Sequence, residues 1–264
     1  MNYKMMGQFI AKMLAIEAVF MVPALLISLF CGETGAAFGF LGAIAAIAAA
    51  IGLLYLTCRG SKREFREKEG LVSVAMGWIV LSLMGCLPFY LSGEIPRYID
   101  AFFEIVSGFT TTGASILPEV ESLSRGILYW RSFSHWLGGM GVLVFLLAIA
   151  PQGGNDGFTM HLLRAESPGP SVGKLVPRMK KTAAILYLIY IVLTIVNVVF
   201  LLAGGMPLFD AVCTALGTAG TGGFGINFGC YYLLLLKEFT AVFRGRSAHH
   251  AAVELCSGRV RGGG

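Results

Sequence analysis

Charge is scarce in this sequence. Asp, Glu, Lys and Arg make up 13% of the 264 residues while 56% are hydrophobic, which excludes an ordinary water-soluble domain, where about a quarter of the residues carry charge. Cysteine spacing of a useful kind is also missing. Cys31, Cys58, Cys86, Cys213, Cys230 and Cys256 are scattered with no CxxC pair, so no zinc or redox motif exists and they read as small apolar filler. No aspartate pair falls within the apolar runs, and an intramembrane enzyme is not the expected reading. His135 has no second histidine or carboxylate at ligand spacing, and helix packing is its expected role. The net charge of +5 is spread between apolar runs and not gathered on one soluble face, so nucleic acid is not an expected partner.

What the chain has instead is length in apolar runs. They lie at about 8–30, 38–57, 71–92, 126–150 and 182–204, and about 20 residues suffice to cross a hydrocarbon core of roughly 30 Å. The expected partner is therefore a lipid bilayer. Lys4 and Lys12 give the first run a superficial likeness to a secretory signal, but it is long for one and lacks a small-x-small cleavage site; a retained helix is expected. Arg59, Lys62, Arg63, Arg66 and Lys68 crowd the segment 58–70, and Arg164, Lys174, Arg178, Lys180 and Lys181 crowd 151–181. The positive-inside bias puts both loops in the cytoplasm. The acid-rich segment 93–125 then faces outside, and the N-terminus is cytoplasmic.

A repeat runs through these spans. An offset of 110 sets Asp100-Ala101 on Asp210-Ala211, Thr111 on Thr221 and Gly113 on Gly223, the kind of weak internal symmetry found in membrane transporters. In each copy a short segment, 97–108 or 207–217, is too brief to cross the bilayer and reads as a half-helix that dips in and returns. A glycine- and threonine-rich stretch follows, Thr110 to Ser115 or Gly217 to Gly225, where continued helix is disfavoured. Irregular backbone at membrane depth survives only inside protein or along a watery cavity. Carbonyl oxygens there can replace the water shell of a cation, and the C-terminal end of a half-helix carries partial negative charge that favours one. A helix–helix contact of small residues, or an ordinary outer turn, is the competing account of a single such stretch; two copies in register favour a filter.

Other motifs weigh less. Gly220-Thr221-Gly222-Gly223-Phe224-Gly225 satisfies GxGxxG, yet no strand precedes it and no acid follows at the required distance. Gly169 to Lys174 is one residue short for a P-loop and has Leu175 where Ser or Thr is required. Glu17 and Arg131 sit within apolar runs, where charge is costly and often functional, but both lie near enough to a helix end to snorkel. The two readings stay open for each.

The stretch Asp100-Ala101-Phe102-Phe103-Glu104, then Ser107 to Ser115, resembles the first pore loop of the Trk-type potassium-uptake proteins, which group with the Ktr and HKT transporters. Trp130-Arg131 and Trp136 to Gly141 resemble the helix after that loop, Arg164 to Pro170 the next cytoplasmic loop, and Gly217 to Phe224 the second pore loop. The match covers roughly 1–244. The resemblance implies an all-α membrane protein with an N-terminal helical hairpin and helix–pore loop–helix units around an ion path. It implies potassium filter residues Thr110, Thr111, Thr112 and Gly113 in the first unit, and Gly220, Thr221, Gly222 and Gly223 in the second. It also implies a homodimer in the bacterial inner membrane, working with a cytoplasmic nucleotide-binding regulatory subunit of TrkA type. Potassium transport, alone or coupled to another ion, is the expected function, with no catalysis.

The expected organisation is a hairpin at 1–60, a first repeat at 61–150, a cytoplasmic loop at 151–181, a second repeat at 182–244 and an unmatched tail at 245–264. The family pattern has four repeats, and here the second is short: 37 residues separate Gly113 from Ala150, but 20 separate Gly223 from Phe243. An internal deletion is the simplest account of that, and the tail reads as an out-of-frame readthrough in preference to a native regulatory tail. The alternative function is thus a half-pore fragment that does not conduct alone.

Overall fold

The computed structural model describes residues 3–58, 67–141 and 176–226, and every regular element among them is helical. In chain order these are α1 (Tyr3–Phe30), α2 (Thr34–Thr57), α3 (Glu67–Gly85), α4 (Leu87–Leu91), α5 (Tyr98–Phe109), α6 (Arg125–Met140), α7 (Val176–Ala203) and α8 (Leu208–Ala219). Four stretches are long and apolar enough to cross a membrane: Tyr3–Phe30, Thr34–Thr57, Val72–Leu91 and Ala184–Ala203. They correspond to four of the five expected spans. Of the fifth, expected at 126–150, the described part is α6; the remainder lies outside the described residues. So do residues 151–175 of the expected cytoplasmic loop and everything after 226, where the shortened second closing helix and the tail were expected. Helix α7 begins at Val176, so the basic residues Arg178, Lys180 and Lys181 stand in its first turns and not in a loop.

Helices α1 and α2 form an antiparallel hairpin closed by a tight turn in which Gly32 takes a left-handed conformation (φ 73°), one that side-chain-bearing residues resist. Their outer faces carry exposed Phe30, Phe38, Leu53 and Leu56, as a lipid-facing surface requires. Their inner faces join the core: Met13, Leu14, Met21, Phe40 and Ile47 are buried with Phe89, Ile105, Trp130 and Leu137 from later helices. The third span is interrupted. Pro88, near the start of α4, has no amide to donate, so the helix breaks at Cys86 and resumes at Leu87. The hydropathy of 71–92 predicts one continuous helix; it carries no trace of this break.

Close approach holds α2 against α4. A Cβ added at Gly39 would stand 2.9 Å from both the carbonyl oxygen of Pro88 and the amide of Ser92, and backbone cannot swing aside as a flexible side chain can. Gly39→Leu is expected to lower folding stability by about 1–3 kcal/mol, the usual overpacking cost. Detergent-solubilised thermal unfolding measures it; an unchanged melting temperature would remove this contact from the packing scheme.

Distant carboxylates complete the tertiary frame. Glu33, in the α1–α2 turn, accepts from the first amides of α6, Arg125 N at 2.8 Å and Gly126 N at 3.2 Å. Those amides have no partner within their own helix, and negative charge at a helix N-terminus is favourable. Glu94 takes the amide of Ser124 at 2.9 Å in the same region. Behind them the indole of Trp130 donates to the Gly85 carbonyl at the end of α3, 2.9 Å away.

Candidate functional site

The two short helices, α5 at Tyr98–Phe109 and α8 at Leu208–Ala219, are offset by 110 at both ends. Each is amphipathic, ends short of a membrane crossing and places an acid, Asp100 or Asp210, in its first turn, where the helix dipole welcomes it. Arg97 lies 3.7 Å from Asp100. Burial pushes the Asp210 carboxyl up, and the nearby Arg125 guanidinium pulls it back.

After each short helix the chain follows one path twice. Thr110 N donates to Val106 O, Thr111 N to Gly108 O and Thr112 N to Ser107 O; Gly220 N donates to Leu216 O, Thr221 N to Thr218 O and Gly222 N to Gly217 O. Each of these three bonds has its counterpart 110 residues on, and the second loop adds one from Gly223 N to Gly217 O at 3.4 Å. Backbone handedness repeats as well. Thr110 (φ −85°) and Gly220 (φ −70°) are right-handed. Thr111 (φ 56°) and Thr221 (φ 59°) are left-handed, as are Gly113 (φ 75°) and Gly223 (φ 72°), while Thr112 and Gly222 are not. A threonine with positive φ is a rare and strained state for a β-branched residue, and it occurs at matching positions of the two loops.

This pattern has a chemical consequence. Here the amides of the first three loop residues are tied back to the short helix. Among the described residues, no backbone amide donates to the carbonyls of Thr110 to Gly113 or of Gly220 to Gly223. The hydroxyls add oxygen: Thr110 Oγ1 donates to Val106 O at 2.7 Å and lies 2.8 Å from Thr112 Oγ1. A row of free carbonyl oxygens just past the negative end of a helix is suited to a partly dehydrated cation and not to an anion.

Of the residues expected to line the filter, Gly113 and Gly222 meet across the two loops. A Cβ built on Gly113 would collide with the carbonyl of Gly222, so the two loops meet there. Helix α6 runs behind both. Its Gly138 lies against the Phe109 backbone at the end of α5, and its His135 backbone lies against Gly220. The His135 ring is buried, edge-on to Phe224 at 3.9 Å between centroids and beside Gly222. It packs against the second loop and not simply between helices, and neither ring nitrogen has a hydrogen-bond partner among the described residues. Gly138→Val is expected to separate α6 from the end of α5, costing about 1–3 kcal/mol in the same unfolding measurement; full stability would place that approach in error.

For two residues the structure closes one of the two readings left open. Arg131 does not snorkel: it is 2% exposed, and its Nε stands 2.6 Å from Oε1 of Glu104, which is fully buried. Glu17 does not snorkel either; it is 1% exposed, and neither oxygen has a hydrogen-bond partner among the described residues. The Glu104–Arg131 pair was not legible beforehand. The one sequence signal was an arginine inside an apolar run, and nothing in the spacing pointed it at a glutamate 27 residues away.

The family model described as TrkH, cation transport protein, matches residues 37–228. The chain is 38% identical over 226 residues to the Trk system potassium uptake protein TrkH of Halomonas elongata, covering 85% of this chain and 46% of that protein. It is 44% identical over 182 residues to its Salmonella typhimurium counterpart, covering 67% and 37%. The crystal structure of the potassium transporter TrkH from Vibrio parahaemolyticus superposes with a TM-score of 0.72 at 29% identity, over 89% of this chain and 48% of that one. The chain thus spans about half or less of the length of the relatives it matches.

Proposed function

The chain belongs to the TrkH family of cation transport proteins, and from that premise we propose that it forms part of a potassium-conducting path across the bacterial cytoplasmic membrane. The proposed ion-binding groups are Thr110, Thr111, Thr112 and Gly113 of the first loop and Gly220, Thr221, Gly222 and Gly223 of the second. The observation that carries this reading is the duplicated loop: amides tied back, carbonyls left over, each copy at the negative end of its own half-helix. Potassium is the cargo and transport, not catalysis, the activity. The basic segments at 58–70 and 151–181 support a cytoplasmic N-terminus.

Homodimer formation and a cytoplasmic nucleotide-binding regulatory subunit belong to the same proposal, since the relatives are named as components of a Trk system. A second reading, a half-pore that conducts only with a complementing chain, is favoured by one observation: the matched region covers 46% of the Halomonas elongata relative. Growth of a potassium-uptake-deficient bacterium on low potassium separates the two. Rescue by this chain alone supports autonomous conduction. No rescue, with the chain shown to be in the membrane, overturns it and leaves the half-pore.

A further inference from the structure

Glu104 and Arg131 do more than neutralise each other. Glu104, on the first half-helix, accepts from Arg131 Nε at 2.6 Å, from Ser115 Oγ at 2.9 Å and, through its other oxygen, from Ile116 N at 3.2 Å. Arg131, on α6, donates through a terminal guanidinium nitrogen to the Gly225 carbonyl at 3.1 Å, and its guanidinium carbon lies 3.5 Å from the centre of the Phe224 ring. Under the 110-residue offset Ser115 and Gly225 are the same position, two residues past Gly113 and Gly223. The pair therefore grips both loops at their equivalent exits. The second repeat has no such acid of its own, because Thr214 stands where Glu104 would recur.

We propose that this buried pair is a shared clamp, in which Glu104 and Arg131 act as positioning residues that hold the two ion-binding loops in register with each other. The proposal rests on the reading of those loops as a cation filter. Geometry assigns the two grips to different atoms: Glu104 holds the first loop, and the second nitrogen of the guanidinium fork holds the second loop. Lysine can pair with Glu104 but has no fork with which to reach Gly225 as well. Alanine at Ser115 removes a ligand of Glu104 and leaves Arg131 untouched.

Two mild variants of the full chain therefore dissociate the grips. Hydrogen–deuterium exchange of the purified chain, read on peptides covering 110–116 and 220–226, should rise about tenfold in the second loop for Arg131→Lys, with the first loop and the α1–α2 hairpin unchanged. Ser115→Ala should do the reverse, loosening the first loop alone. Rubidium uptake against sodium uptake in cells is the functional arm: Arg131→Lys should lower the rubidium-to-sodium ratio by about tenfold, since misplacement of positioned groups by about 1 Å costs on that order or more. Unchanged exchange in both variants, or loosening that spreads equally over both loops and the hairpin, overturns the clamp. Should Arg131→Lys not fold, Ser115→Ala alone still decides, because exchange unchanged in its own loop or raised in the other contradicts the assignment. Absence of rubidium uptake by the unmodified chain overturns autonomous conduction instead and leaves the half-pore, while the exchange experiment continues to test the clamp.

Discussion

Gly113→Ala is expected to abolish rubidium uptake and growth at low potassium in a chain that still inserts. Two effects combine at this position. Gly113 has φ of 75°, a left-handed conformation that costs a side-chain-bearing residue about 1–2 kcal/mol. The added methyl would also collide with the backbone carbonyl of Gly222, which cannot move without dragging the second loop out of line. Gly223 provides the internal control. Its φ is 72°, so alanine meets the same conformational penalty, but nothing among the described residues lies within 4 Å of the built Cβ. Gly223→Ala should therefore weaken uptake without abolishing it, and Gly113→Asp should be at least as severe as Gly113→Ala. Equal effects at Gly113 and Gly223 would mean that loop contact plays no part; full uptake by Gly113→Ala would count against the assignment of the ion path itself.

Arg131→Met is expected to be the most destabilising single change in the described core. Removing one partner of a buried ion pair leaves the other charge uncompensated and typically costs about 3–5 kcal/mol, and Glu104 is 0% exposed. Adding Glu104→Gln should restore much of the loss, because the amide oxygen still accepts from Ser115 or Ile116 while carrying no charge. The double variant should then be more stable than Arg131→Met alone, with a coupling energy toward the upper end of the roughly 0.5–3 kcal/mol seen for residues in one network. Thermal or denaturant unfolding of the four proteins in detergent supplies the cycle. Additive losses would show that the two side chains act independently.

The spans and the half-helices were legible in advance because both follow from counting. An apolar run of 20 residues has few destinations besides a bilayer, and a run of a dozen ending in glycine and threonine cannot cross one. The half-helices, expected at 97–108 and 207–217, form at Tyr98–Phe109 and Leu208–Ala219; the small differences lie at their ends, where helix boundaries are least defined. The break at Cys86 was hidden because hydropathy sums across a single proline. Family membership was legible too, since several motifs occur in order, and the match over 37–228 bears it out.

Sequence by itself thus determined the class of protein, the repeat and the offset of 110 that relates its halves, because each depends on residues near one another along the chain. Tertiary structure decided what those halves do to each other: the contact of Gly113 with Gly222, the reach of Glu33 to the start of α6, and the burial of Arg131 between Glu104 and Gly225. These depend on how helices cross, and a crossing is set by the summed packing of many side chains from distant segments. No local pattern records that sum.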